Sequence, residues 1–216
     1  MHRSQRLVAT LALVATCLAA SDARALPLIS EVYYDAIGTD DGRGFVELYG
    51  TPGASLDGLR LESINGDGGA VAVRLTLSGS FGGDGLFVVA DRRSDGSTDI
   101  ADADLLLDFD LQNGPDSLVL LGASGVLDAV GYGVFDASQV FAGEGTSASD
   151  GPAGASLARR FANLDTGDNA ADFVELAVPT PGSAPIAAIP EPGTAVLAAC
   201  GLVGLARIGR RRGRRG

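Results

Sequence analysis

Seven aspartates crowd residues 91–110: Asp91, Asp95, Asp99, Asp102, Asp104, Asp108 and Asp110. Carboxylates at this density supply the hard oxygen donors that calcium takes six to eight at a time. The stretch "SDGSTDIADAD" at 94–104 adds a loop glycine and makes Asp95, Asp99, Asp102 and Asp104 candidate calcium ligands. It lacks the D-x-D-x-D-G order and closing glutamate of an EF-hand loop, so a solvated acidic loop is the competing reading. Paired carboxylates also act as acid and base in glycoside hydrolysis. No tryptophan is present for sugar stacking, which argues against an enzyme and leaves sugar binding or matrix cohesion open.

Residue types that are missing restrict the chemistry further. The only histidine is His2 and the only cysteines are Cys17 and Cys200, all near the chain ends. The body between them therefore has no thiol nucleophile, imidazole base, disulfide, or thiolate or imidazole zinc ligand. Ser-His-Asp and Cys-His catalysis are excluded there.

The N-terminal stretch explains part of the length. Arg3 and Arg6 precede an apolar run from Leu7 to Ala20, and Ala23-Arg24-Ala25 reads as a small-x-small cleavage site. That pattern predicts a secretory signal peptide over 1–25, cleaved after Ala25. A lipoprotein reading of Val14-Ala15-Thr16-Cys17 is disfavoured by Thr16, where a smaller residue is wanted. The exported body carries 25 acids against seven arginines, a net charge near −18, and the chain has no lysine. Such a surface repels nucleic acid and anionic lipid and favours solubility and cation binding.

The elements that must carry these residues read as strands. In "VAVRLTL" (71–77), Val71, Val73, Leu75 and Leu77 alternate with Ala72, Arg74 and Thr76; "LDFDL" (107–111) alternates in the same way. Period-two alternation marks strands with one buried face. Turn clusters such as Asn65-Gly66-Asp67-Gly68-Gly69 and Asn113-Gly114-Pro115-Asp116 separate the runs. About nine strands are predicted, near 28–34, 44–49, 56–64, 70–77, 86–90, 105–111, 117–121, 126–132 and 172–177. Many short strands with polar turns predict an all-β antiparallel sandwich. Residues 134–155, rich in Ala, Ser, Gly and Asp, read as a long loop, either functional or without structure.

Several phrases along the body form one ordered pattern: "LISEVYYDA" (28–36), "GFVELYGTPGASLDGLRL" (44–61), "GLFVVAD" (85–91), "NGPDSLVLLGASGVLDAVGYG" (113–133) and "GASLARRFANLDTGDNAADFVELAVPTPGS" (154–183). Together they resemble the lamin-tail domain as it occurs in exported bacterial proteins. The resemblance implies an immunoglobulin-like β-sandwich over 26–183 with a binding or scaffolding role, and no enzyme. It places landmark residues at Glu31, Glu47, Ser156, Arg159, Asp168, Asp172 and Thr180-Pro181-Gly182. The glutamates are expected to hydrogen-bond backbone or to pair with Arg159 at a strand end; the alternative is contact with a ligand. "FVEL" occurs at 45–48 and 173–176, but the flanks do not match and it is not a repeat.

The C-terminal stretch "AIPEPGTAVLAACGLVGLARIGRRRGRRG" divides into a linker with Pro190-Glu191-Pro192 (184–192) and a short apolar run ending in arginines (193–216). Gly193 to Ala206 is 14 residues, about 21 Å of helix. A bilayer core of about 30 Å wants about 20 residues, so this run is a marginal span suited to transient insertion. Arg210, Arg211 and Arg212 would hold that end in the cytoplasm. An export signal at the other end leaves no route by which the tail meets nucleic acid. The triplet, the apolar run and the arginines resemble the PEP-CTERM sorting signal in all three parts and in order. That resemblance implies an exosortase partner that cuts near the triplet and leaves the protein attached at, or shed from, the cell surface. Exopolysaccharide and other surface proteins are the further partners it suggests. The sequence thus predicts an exported structural or adhesive domain, with a calcium-assisted glycan-binding module as the alternative.

Overall fold

Short runs of β-branched, aromatic and leucine residues pack well on a pleated, half-buried surface, which is why they become strands here. The computed structural model describes residues 26–188, and the compact unit built on the strands ends at Ile186. The predicted signal peptide (1–25), the Pro190-Glu191-Pro192 triplet, and the apolar run with its arginines lie outside the described residues. The strands are β1 (Leu28–Tyr33), β2 (Phe45–Tyr49), β3 (Arg60–Asn65), β4 (Val71–Thr76), β5 (Leu86–Asp91), β6 (Leu105–Leu107), β7 (Asp116–Gly122), β8 (Gly125–Tyr132), β9 (Ser156–Arg159) and β10 (Phe173–Leu176). One helical turn, α1 (Asn169–Asp172), precedes β10. No helix among the described residues is long and apolar enough to cross a membrane.

The strands form two sheets, one of six in the order β10-β9-β1-β2-β5-β6 and one of four in the order β4-β3-β7-β8. The fold is thus the all-β sandwich that the alternation predicts. One core fills the space between the sheets. Ile29, Val32, Val46, Leu48, Phe87 and Val89 come from the larger sheet, and Leu61, Leu75, Leu118, Leu120, Val130 and Tyr132 from the smaller.

A bulge in β1 decides which residues face that core. Ile29 pairs with Leu48 and Glu31 with Glu47, so Ser30 is the extra residue between two ladder positions. An inserted residue resets the alternation of the strand. Ile29 and Val32 both enter the core, while Glu31 comes to lie beside Glu47 on the opposite face.

Two long loops cover the outer faces of the sheets. The crossover 92–104 places Ile100 and Ala103 on Phe45, Val88 and Ala90, outside the six-stranded sheet. A crossover of this length lets β6 run parallel to β5, the one parallel pair among the ten strands described. The segment 134–155 lies on the smaller sheet. The Phe141 ring lies where a Cβ on Gly131 would stand, and the Ala142 amide donates to the Ser117 hydroxyl (3.1 Å). This segment is loop, as predicted, and it is hydrogen-bonded to the sandwich.

Three strand expectations need correction. The predicted strand 105–111 stops at Leu107; Phe109 and Leu111 still point inward, but no ladder pairs them. The predicted strand 56–64 starts only at Arg60, because Leu56 and Leu59 take part in turns. β9 has no predicted counterpart, and it interrupts alternation with a buried arginine.

Candidate functional site

The largest fully buried side chain among the described residues is that of Arg159, at 2% exposure. It shares a face of β9 with Leu157, so its guanidinium enters the space between the sheets. Nη2 donates to both carboxylate oxygens of Asp128 on β8, each at 2.9 Å. Nη1 reaches Asp172 at 2.8 Å, Nε donates to the Ile29 carbonyl at 3.0 Å, and the group lies 4.7 Å from the centre of the Phe173 ring. Asp165 approaches from a loop at 3.4 Å. Asp128 also accepts the Ile29 and Ala129 amides, and Asp172 accepts the Thr166 amide and hydroxyl. Burial pushes the Asp128 carboxyl up, and the Arg159 charge opposes it. A rigid five-donor fork suits this work, since one cation must satisfy three carboxylates and the Ile29 and Leu164 carbonyls at fixed angles.

Glu31 and Glu47 do not pair with Arg159. They form a second polar group on the outer face of the six-stranded sheet, both almost wholly buried. Glu31 accepts the Ser156 hydroxyl, the Thr180 amide (2.9 Å) and the Thr180 hydroxyl (2.7 Å). Glu47 accepts the Ser30 hydroxyl and the Gly182 amide, each at 2.7 Å. Of the two expected roles for these glutamates, the structure shows the backbone hydrogen bonds. Burial pushes the Glu47 carboxyl up to about 7 despite those donors, and the neighbouring Glu31 charge adds to the rise. Gly182 has φ +77, and a Cβ there would stand 3.0 Å from Asp102, so the close approach needs glycine.

The four candidate calcium ligands are not gathered into one site. Asp95 accepts the Ser97 amide and hydroxyl in a local turn. Asp99 pairs with Arg43 and Arg93, which hold its carboxyl down at about 2. Asp104 accepts the Val88 amide at 2.8 Å, and Asp102 lies beside Gly182. The acid density serves the crossover, whose exposed turns need short side-chain acceptors. Asp91, Asp108 and Asp110 of the same run join Asp40 and Asp41 along an open cleft of about 470 Å³. Asp91 is buried there, and its oxygens accept the Gly42 and Phe109 amides.

Among the described residues, one other set of acids could hold a metal ion. Carboxylate oxygens of Asp128, Glu144 and Asp165 lie within 4.8 Å of one another. Arg159 already contacts two of the three. One Glu144 oxygen is buried without a hydrogen-bond partner. Burial, with the Asp128 and Asp165 charges, pushes its carboxyl up to about 7. Sequence reading missed this set because Asp128, Glu144 and Asp165 are far apart in the chain. Comparison with protein-family models, with curated proteins and with solved structures finds no match to this chain.

Raised carboxyls make stability depend on pH with a definite sign. An ordinary glutamate titrates near 4.3, well below the value of about 7 for Glu47 and Glu144. Their contribution is complete below the unfolded value and is lost as pH rises through about 7. The melting temperature should therefore fall between about pH 5 and pH 8. Glu47→Gln, which stays neutral and keeps an acceptor for Gly182, should flatten the fall by up to roughly 3 kcal/mol at the alkaline end. Thermal melts across this range check it. A flat or rising wild-type curve would contradict the assignment.

Proposed function

We propose that the chain is an exported bacterial surface or extracellular-matrix protein with a structural or adhesive, non-catalytic domain. In this reading the sandwich is of the immunoglobulin-like, lamin-tail type. Exosortase sorts it through the C-terminal PEP-CTERM signal after transient insertion of the apolar run. One observation supports the domain reading most. Residues that the sequence resemblance singles out contact one another: Ser156 and Thr180 donate to Glu31, Gly182 donates to Glu47, and Arg159 pairs with Asp172. The carboxylates of this group are occupied by partners inside the fold, which suits a scaffold better than acid–base catalysis. The tail supports the sorting half by its three parts in order.

Intact mass of the native protein, together with cell fractionation, tests the sorting. The expected mature chain begins after Ala25 and ends near residue 192, and Glu191→Ala traps the uncut form in the inner membrane. A mature mass that still includes Arg210, Arg211 and Arg212 contradicts it.

A calcium-assisted glycan-binding module is the second reading. The unpartnered oxygen of Glu144 beside Asp128 and Asp165 favours it. Calcium is the cation such an all-oxygen set would take. Millimolar calcium should then raise the melting temperature, and Glu144→Gln should abolish the rise. Equal melts in calcium and in chelator would remove this reading.

A further inference from the structure

The chain does not leave the sandwich where its last strand ends. After Leu176 it stays on the outer face of the six-stranded sheet for about ten more residues. Thr180 is held by Glu31 through both its amide and its hydroxyl, and Gly182 is held by Glu47 through its amide. The Ser183 amide closes a turn onto the Thr180 carbonyl at 3.0 Å, and the Pro185 carbonyl accepts the Ala162 amide at 2.8 Å. Hydrogen bonds to buried carboxylates are among the strong ones, and breaking them would leave those oxygens unsatisfied.

We propose that Glu31 and Glu47 form a clasp that fixes the exit of the chain at Ile186. Its use in processing rests on the sorting reading given above. From Ile186 to Pro190 there are four residue steps, a reach of at most about 14 Å. Without the clasp the free chain would start after Leu176, fourteen steps away, with a reach of about 50 Å. An enzyme acting at Pro190-Glu191-Pro192 therefore acts within that shorter reach of Ile186, and the bonds of 177–185 are withheld from it. The clasp also joins the first two strands to the last segment, so it closes only when both ends of the domain are in place.

Hydrogen exchange on the full-length protein in detergent micelles tests the clasp without any processing enzyme. In the wild type, peptides covering 180–185 should be protected far beyond the exposed turn at 94–98. In Glu31→Ala/Glu47→Ala their exchange should quicken at least about tenfold, while β7 and β8 keep their protection. Thr180→Ala changes no strand residue and should give a smaller acceleration of the same peptides, so a misfolded double variant leaves the test intact. Wild-type exchange at 180–185 as fast as in the turn, or unchanged exchange in Thr180→Ala, overturns the clasp. Exchange and mature mass are separate readouts, so a failure of the sorting reading and a failure of the clasp are told apart.

Discussion

The fold is organised around a cation buried between its two sheets. Arg159 reaches from the six-stranded sheet across to Asp128 on the four-stranded sheet, and both side chains have no exposed surface. Taking two such charges out of water costs several kcal/mol each, and the pair recovers it only with good geometry and full hydrogen bonding. That condition is met from many directions: the Ile29 carbonyl, the Ile29 and Ala129 amides, Asp172 and the Phe173 ring all converge on the pair. Apolar packing between sheets tolerates sliding, because leucines and valines interchange contacts. A fork-shaped cation does not tolerate it. The group therefore fixes β9 against β1, β8 and the turn before β10.

The same use of side-chain acceptors explains how so acidic a body holds together. Carboxylates near strand ends and loops take up amides that no ladder supplies, as Asp91 does for Gly42 and Phe109 and Asp116 for Gly66. Asn169 does the equivalent for the smaller sheet. Its side chain accepts from Gly131 and Glu144 and donates to Ala129, so part of the β8 edge is closed by an asparagine in place of another strand. Buried edges need such partners, since an orphaned backbone group costs about as much as a lost hydrogen bond. The outward-facing glutamates of β1 and β2 extend this pattern to the last segment of the domain.

Much of the fold was legible in the sequence because alternation reports one buried face directly. Val73, Leu75, Leu77, Phe109 and Leu111 point as their pattern predicts. What alternation does not report is a charge that is buried because its partner is far away in sequence. "SLAR" reads as a polar-ended fragment until Asp128, 31 residues earlier, is brought beside it. The β1 bulge was hidden for a related reason: one added residue changes nothing in composition, yet it turns Glu31 toward Glu47. The acidic run at 91–110 misled in the opposite sense. Density along the chain suggested one ligand set, whereas the crossover spreads those aspartates over turns, arginines and a strand amide.

Arg159 and Asp128 thus stabilise the fold as a unit and not as separate contacts. A double-mutant cycle measured by chemical denaturation, with Arg159→Met, Asp128→Leu and the combined variant, tests this most directly. Arg159→Met leaves the buried Asp128 and Asp172 carboxyls without their cation and should cost about 3–5 kcal/mol, whereas Asp128→Leu leaves Arg159 with Asp172 and Asp165 and should cost less. The combined variant should cost no more than Arg159→Met alone, so that the two losses do not add. Single losses under about 1 kcal/mol, or losses that simply add in the combined variant, would contradict it.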